Sequence, residues 1–437
     1  LLCCQFPEAL EGCDGAFTIE SSRVTFGRGC LLEAGPRLRA LGCTRIALIT
    51  DRFVGSLPFA ESVLTSLKAA GLDVVRFDEV EIEPTDRSLE LAARFAWESK
   101  VNGFLSLGGG SVIDTCKVAN LLSSHPAALE FYVNAPVGHG HAVPGPLKPH
   151  IACPTTSGTG SEVTGIAVFD HTLLHAKTAI AAKELRPTEA LVDPDVTASL
   201  PAAVVAASGL DVLCHAVESF TARPFSRRAR AMPSFARPMS QGANPWSDIG
   251  CKEALGLCRD YLVRAASDPT DAEAREAMLW AATLAGIAFG NAGVHLPHAM
   301  AYAIAGLAHE TNYKPPGYPT THAFLPHGVS VVLSAPAVVR RTASADPARH
   351  LKVAELLGAD VRSANSEDAG ELLSQRLVAL MRRLATPNGT AGVGATESHL
   401  PALVAGTLAQ TRLLANAPIL SNEAELIELF NAGLSCW

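Results

Sequence analysis

The 437-residue chain reads as an α/β plus all-α protein: an N-terminal unit built on a parallel sheet, residues 18–203, followed by a C-terminal helical unit, residues 204–437. Three observations predict this. Between residues 45 and 201, short β-branched runs alternate with amphipathic segments in a βαβα rhythm. Beyond Ala202 the strand signals fade and Ala/Leu-rich segments take over. The length exceeds what one core usually holds, and 48% hydrophobic residues are ample for two.

Taken in order, Ile46-Ala47-Leu48-Ile49-Thr50 predicts a buried strand, residues 60–70 a helix ending near Gly71, and Asp73-Val74-Val75-Arg76-Phe77 the next strand. Residues 89–97 read as helix, Gly103-Phe104-Leu105-Ser106-Leu107 as strand, and 111–122 as helix again. In the second half, helices are expected at 204–220, 249–266, 271–288, 350–357 and 372–384. A Pro-, Ser- and Arg-rich stretch, 223–245, interrupts them; it is too irregular for a helix and too long for a plain connection, and so reads as a functional or mobile loop. No internal repeat is present.

A charged fraction of 18% and a net charge of −8 carry no footprint of nucleic-acid or anionic-membrane binding. Apolar runs such as 46–49 and 104–107 are far short of the ~20 residues that span a bilayer, so a soluble protein is expected. The eleven cysteines are odd in number and, apart from adjacent Cys3 and Cys4, share no short spacing. That excludes a disulfide framework and a zinc ribbon, and suits buried thiols of a reducing compartment, with Cys116, Cys153 and Cys214 inside apolar elements. The first sixteen residues are acidic and lack arginine, unlike an intact mitochondrial presequence, so targeting is not directly readable.

Two constellations carry chemistry. Gly209-Leu210-Asp211-Val212-Leu213-Cys214-His215-Ala216-Val217-Glu218 places Asp211 and His215 at i, i+4, on one helix face, where a carboxylate and an imidazole can grip one cation. Such pairs often are simple hydrogen-bonded neighbours. Here the flanks are Ala, Val, Leu and Gly, so an ionised Asp211 would be costly without a partner, and His298 and His327 downstream can complete the set. One carboxylate with several imidazoles suits iron, zinc, cobalt or nickel better than calcium. Cys214 is not expected to act as a nucleophile with His215, because helix neighbours point in different directions.

The second constellation is a strand, Phe104-Leu105-Ser106-Leu107, then Gly108-Gly109-Gly110-Ser111 and a helix start. Glycines let backbone N–H groups approach an anion at a helix N-terminus, so a pyrophosphate is the expected guest; a merely tight turn is the alternative. The spacing is not G-x-G-x-x-G. A polar loop, Pro154-Thr155-Thr156-Ser157-Gly158-Thr159-Gly160-Ser161-Glu162, has the groups to hold the ribose, phosphate or nicotinamide of a cofactor. Asp51, ending a strand, stands either as the acceptor of an adenosine ribose, favouring NAD over NADP, or as a helix cap.

These motifs, with Gly108-Gly109-Gly110-Ser111-Val112-Ile113-Asp114, His298-Ala299-Met300 and Pro326-His327-Gly328, resemble the iron-containing (group III) alcohol dehydrogenase family from about residue 18 to 430. The resemblance implies a Rossmann-like N-terminal domain and a helical C-terminal domain, the architecture shared with dehydroquinate synthase. It implies a divalent metal, iron first and zinc second, on Asp211, His215, His298 and His327, and NAD on Asp51, Gly109, Gly110, Ser111, Asp114, Thr155, Thr156, Thr159 and Lys177. Within the family, Asp114-Thr115-Cys116-Lys117, Phe289-Gly290-Asn291-Ala292-Gly293-Val294-His295-Leu296 and Gln241-Gly242-Ala243-Asn244-Pro245 resemble a mitochondrial branch that works on hydroxyacids and oxoacids. That branch implies hydride transfer over bound NAD from 4-hydroxybutyrate to 2-oxoglutarate, a mitochondrial location with a cytoplasmic one as alternative, and small-molecule partners, leaving a homo-oligomer open.

Tyr302 stands where many family members have a further histidine, against a histidine proton relay for simple alcohols. Pro297, before His298, is tolerable only near a helix start. His295 reads as a core histidine or a neighbour of the ligands, His309 and His322 as surface groups, and Arg227, Arg228, Arg230 and Arg237 either as a clamp for substrate carboxylates or as solvated arginines. A plain NAD-dependent alcohol dehydrogenase and a non-redox synthase of the dehydroquinate synthase type are the alternative activities.

Overall fold

The computed structural model describes residues 9–173, 176–233, 236–318 and 323–437; Cys3, Cys4 and His322 lie outside them. The chain divides into two compact units, Ser21–Ser199 and Leu200–Trp437, and residues 9–20 cluster with the second.

The first unit holds strands β1 (Arg23–Phe26), β2 (Arg45–Ile49), β3 (Asp73–Phe77), β4 (Gly103–Gly108), β5 (His150–Pro154) and β8 (Glu189–Val192) in one sheet, ordered β1-β8-β5-β4-β2-β3. Every pairing in it is parallel. Parallel strands need crossovers, supplied by α1 (Ala34–Ala40), α2 (Pro58–Ala69), α3 (Asp86–Glu98), α4 (Gly110–Ser124) and short α5 (Leu129–Tyr132). Side-chain alternation buries both faces. Ile46 and Leu48 of β2 join Leu38, Val63, Leu67 and Leu105 on one side, while Ala47 and Ile49 join Phe104, Ala92, Ala96 and Val112 on the other.

Strands β6 (Ile166–His171) and β7 (Ala176–Ala181) form a separate antiparallel hairpin. Neither the hairpin nor edge strand β1 was expected from the sequence, since β1 is only four residues long and exposed at its start.

The second unit is helical: α6 (Ala202–Thr221), α7 (Pro245–Ser267), α8 (Ala272–Ala292), α9 (Leu296–Thr311), α10 (His327–Val332), α11 (Ala335–Thr342), α12 (Pro347–Leu356), α13 (Ala369–Arg383), α14 (Leu400–Leu408), α15 (Thr411–Ala415) and α16 (Glu423–Ala432). Helix α6 packs against α7, α8 and α10. Gly209 permits the close approach to α7, because a Cβ there would sit 2.2 Å from Leu262 Cδ1. Among the described residues α6 is one helix long and apolar enough to cross a bilayer, contrary to the expectation that no run comes near that length; most of it is buried inside the unit, as for a core helix.

Among its described residues, the stretch 223–245 is irregular apart from one short 3₁₀ turn, Phe225–Arg227, and it is tied to the chain before residue 21. The Gln241 side chain accepts from the Thr18 N–H (2.7 Å) and donates to the Thr18 carbonyl (2.8 Å). Asn291 does the same for Glu20, at 2.9 Å both ways. Phe17 meets Phe225 edge-on at 5.0 Å.

Candidate active site

The helix α6 sets Asp211, His215 and Glu218 on one face at i, i+4 and i+7. His215 is held by stacking on Phe289, ring centroids 4.1 Å apart. His298 sits in the first turn of α9, with Pro297 in the first two positions, where its missing N–H leaves no intrahelical bond unmade. His327 opens α10. The next residue must be glycine: a Cβ on Gly328 would lie 2.0 Å from the Ala207 carbonyl oxygen and 2.8 Å from Asp211 Cβ, so its absence lets α10 press His327 against α6.

The four side chains converge on one oxygen. Asp211 Oδ1 is 3.6 Å from His215 Nε2, 3.6 Å from His298 Nε2 and 3.9 Å from His327 Nε2. These separations are too long for hydrogen bonds. Buried Asp211 Oδ1 and His298 Nε2 both lack a hydrogen-bond partner, a costly state for polar groups out of water. A cation at their centre would satisfy them: ligand atoms at roughly 2.1 Å from a common ion stand a few ångströms from one another. The ligand atoms of Asp211, His298 and His327 all lie within 4.8 Å of one another. Asp211, His298 and His327 therefore fit a metal, and His215 Nε2 stands 3.6 Å from the same carboxylate oxygen.

Electrostatics reinforce the fit. Burial would raise the Asp211 carboxyl, but His215 and His327 outweigh it and hold the group well below the usual carboxylate range. Burial pushes His215 down to about 4, leaving it neutral and able to ligate. At His298, burial is outweighed by Glu218 and Asp211, which hold it up at about 9 without metal. Glu218 Oε1 lies 2.6 Å from His298 Nδ1, and Glu218 Oε2 accepts the His295 N–H at 2.7 Å. With Nδ1–H donated to Glu218, His298 turns its Nε2 lone pair toward Asp211 and its neighbours. Glu218 carried no role in the sequence reading, although its place one turn past His215 was the available signal.

His295 caps α9 and turns its Nε2 to Thr221 Oγ1 at 3.2 Å, as suits a neighbour of the ligands. Burial drives the Cys214 thiol far up, so it is no nucleophile. His309 is exposed. Tyr302, one turn past His298, brings its ring within 6.4 Å of the His327 ring.

In the first unit, β4 runs into Gly109, which caps α4 with no side-chain acceptor, leaving first-turn N–H groups for an anion. Gly109 and Gly110 also let the loop 154–162 close in: a Cβ on Gly110 would sit 2.6 Å from Thr159 Cγ2, and one on Gly109 3.2 Å from Thr156 Cγ2. Ser111, Thr155, Thr156 and Thr159 thus gather around the start of α4, with the Thr155 N–H on the Gly108 carbonyl at 3.1 Å. Three other expected residues make bonds within the unit. Asp114 is occupied internally, by Lys117 Nζ at 3.2 Å, the Val168 N–H at 2.9 Å and the Ser161 hydroxyl. Lys177 is buried between Asp170, at 3.0 Å, and Glu83. Asp51 Oδ1 accepts the Val54 N–H at 2.8 Å, the capping alternative.

Three of the four arginines named in the loop 223–245, Arg228, Arg230 and Arg237, are bonded to the chain before residue 21. Arg228 and Arg237 both bind Asp14 Oδ2 at 2.9 Å, and Arg230 reaches the Cys13 carbonyl at 3.4 Å. Their charge fastens that segment.

Sequence models of two domains match this chain: iron-containing alcohol dehydrogenase over residues 21–194, and the Fe-containing alcohol dehydrogenase family, C-terminal, over residues 231–434. The chain belongs to the iron-containing alcohol dehydrogenase family. It is an oxidoreductase, and the family implies a divalent metal and an NAD-type cofactor. A Xenopus laevis protein named hydroxyacid-oxoacid transhydrogenase, mitochondrial, is 46% identical over 436 residues, covering 99% of this chain and 94% of its own length. The crystal structure of a 1,3-propanediol oxidoreductase superposes with a TM-score of 0.83 at 27% identity, covering 96% of this chain and 100% of that one. Sulfoacetaldehyde reductase from Bifidobacterium kashiwanohense, solved in complex with NAD+, gives 0.77 at 25% identity, covering 96% and 99%.

Proposed function

We propose that this family member is a metal-dependent hydroxyacid-oxoacid transhydrogenase. It takes hydride from 4-hydroxybutyrate, giving succinate semialdehyde, and delivers it through retained NAD to 2-oxoglutarate, giving 2-hydroxyglutarate. The observation that carries this reading is the unpartnered Asp211 Oδ1 ringed by three imidazole nitrogens, in a chain 46% identical to a relative of that name.

Asp211, His215, His298 and His327 hold the metal, iron in keeping with the family and zinc with the same donor set. When bound, the metal acts as Lewis acid on the alcohol or carbonyl oxygen and NAD accepts or returns the hydride. The protein's own part is positional. Asp211 offsets the metal's charge, Glu218 fixes the tautomer of His298, and Phe289 fixes the plane of His215. His327, with 24% of its side chain exposed against 5% or less for the other three, marks the side where substrate enters. In residues 18–203, the uncapped start of α4 with Gly109, Gly110 and Ser111 receives the pyrophosphate, and Thr155, Thr156 and Thr159 the sugar and nicotinamide. Residues 204–437 form the metal-binding domain. Asp51, Asp114 and Lys177 act less directly, shaping that cradle through the internal bonds they make. A mitochondrial location follows the names of the relatives.

The test is to incubate metal-loaded protein, with no added NAD, with 4-hydroxybutyrate and 2-oxoglutarate, and to assay 2-hydroxyglutarate by mass spectrometry. Product formation supports a transhydrogenase with captive cofactor. NADH accumulating only when free NAD is supplied would make the protein an ordinary dehydrogenase.

A further inference from the structure

Both proposed substrates carry carboxylates, which call for a cation, and Arg228, Arg230 and Arg237 of the 223–245 loop are engaged by Asp14 and the Cys13 carbonyl. Arg412, on α15, is different. It is partly buried, and its recorded hydrogen bond goes to a neutral group, the Ser240 hydroxyl at 3.1 Å. No acidic side chain among the described residues forms an ion pair with it. A partly buried guanidinium without a carboxylate keeps further donors free in a planar fork.

Its surroundings point to the site. Helix α15 packs on α9, the helix that carries His298 and, one turn on, Tyr302. Tyr302 lies within electrostatic reach of Arg412 and also places its ring 6.4 Å from the ring of His327. Burial lowers the guanidinium's pKa, and Tyr302 opposes that shift. On the other side, Asn416, one turn beyond Arg412, donates to the carbonyls of Ala292 and Val294, both at 3.1 Å, fixing α15 to the turn that leads into His298. The cation is thus fastened to the same rigid turn as a metal ligand.

We infer that Arg412 binds the carboxylate of the hydroxyacid and oxoacid substrates, with Ser240 orienting its guanidinium and Tyr302 standing beside His327. This rests on the transhydrogenase reading and names the residue by which that site selects acids over plain alcohols. Substrate oxygen at the metal and carboxylate at Arg412 would anchor the short methylene chain at both ends. A guanidinium suits this planar, two-pronged recognition better than an ammonium.

The experiment compares wild type, Arg412→Gln and Arg412→Lys, each metal-loaded and checked for Tm, in KM and kcat for 4-hydroxybutyrate and for its uncharged amide. Succinate binding is measured in parallel by calorimetry. Arg412→Gln should raise KM for the acid and Kd for succinate about 10- to 100-fold, or about 1.4–2.8 kcal/mol, while leaving kcat/KM for the amide unchanged. Arg412→Lys should recover only part of the loss. Equal effects on acid and amide, or none on either, would overturn the assignment and leave Arg412 a structural tie to Ser240. Wild type that uses neutral alcohols but neither turns over nor binds acids would instead overturn the transhydrogenase reading, and this inference with it.

Discussion

Glu218 Oε1 stands 2.6 Å from Nδ1 of His298, and this contact decides which nitrogen of His298 remains for a metal. The same carboxylate accepts the backbone N–H of His295, so it fastens both the ring and the turn that carries it. A carboxylate behind a ligating imidazole raises its basicity and holds its plane.

Replacing Glu218 with glutamine keeps the shape and removes the charge. Metal affinity is expected to fall about 10- to 100-fold, measured by competition with a chelator. Glu218→Ala should add a loss of about 1–3 kcal/mol in stability, because buried N–H groups then go unpaired. An unchanged metal affinity in both variants would remove Glu218 from the site.

Proton and metal compete at His298. In the metal-free protein its pKa of about 9 lies above the free value, so it contributes stability below about pH 6.5 that is lost as pH rises through 9. His215 and His295, pushed down to about 4, behave oppositely: their contribution is full above about pH 6.5 and is lost as pH falls through 4. Chelator-treated protein should therefore show its highest Tm near neutrality as far as these groups decide it. Metal binding at pH 7 should release about one proton, seen by calorimetry in buffers of different ionisation enthalpy.

Gly328→Ala drives a methyl group into the Ala207 carbonyl oxygen at 2.0 Å. Backbone cannot rotate away as a side chain can, so α10 must shift. We expect about 1–3 kcal/mol of destabilisation and loss of metal by elemental analysis; a variant that kept its full metal content would show that His327 is dispensable.

Gly110→Ala meets Thr159 Cγ2 at 2.6 Å at the start of α4. NAD binding should weaken while metal content holds. Adding Thr159→Ser removes the offending methyl group and should recover part of the affinity, read by calorimetric titration of NAD.

Much of the fold was legible because its signals are local. The β2 run Ile46-Ala47-Leu48-Ile49 is apolar on both faces, as a central parallel strand must be, and β3 begins and ends where its pattern does. Asp211 and His215 declared themselves by spacing in an otherwise apolar helix. Strand β1 could not do so: its sheet partner among the described residues is β8, more than 160 residues later, and it has no alternation of its own. The arginines near residue 230 were legible as charge but not as partners of Asp14, which acts across the same kind of gap. Arg412 was silent because a single cation in a short helix has no period.

The pairing of Asp14 with Arg228 spans 214 residues. At ~5–20 residues per second, Asp14 leaves the ribosome roughly 10–40 s before Arg228 does. All of Ser21–Ser199 is synthesised in that interval. The nascent chain therefore holds the whole of the α/β unit before Asp14 can be tied to the helical unit that follows it.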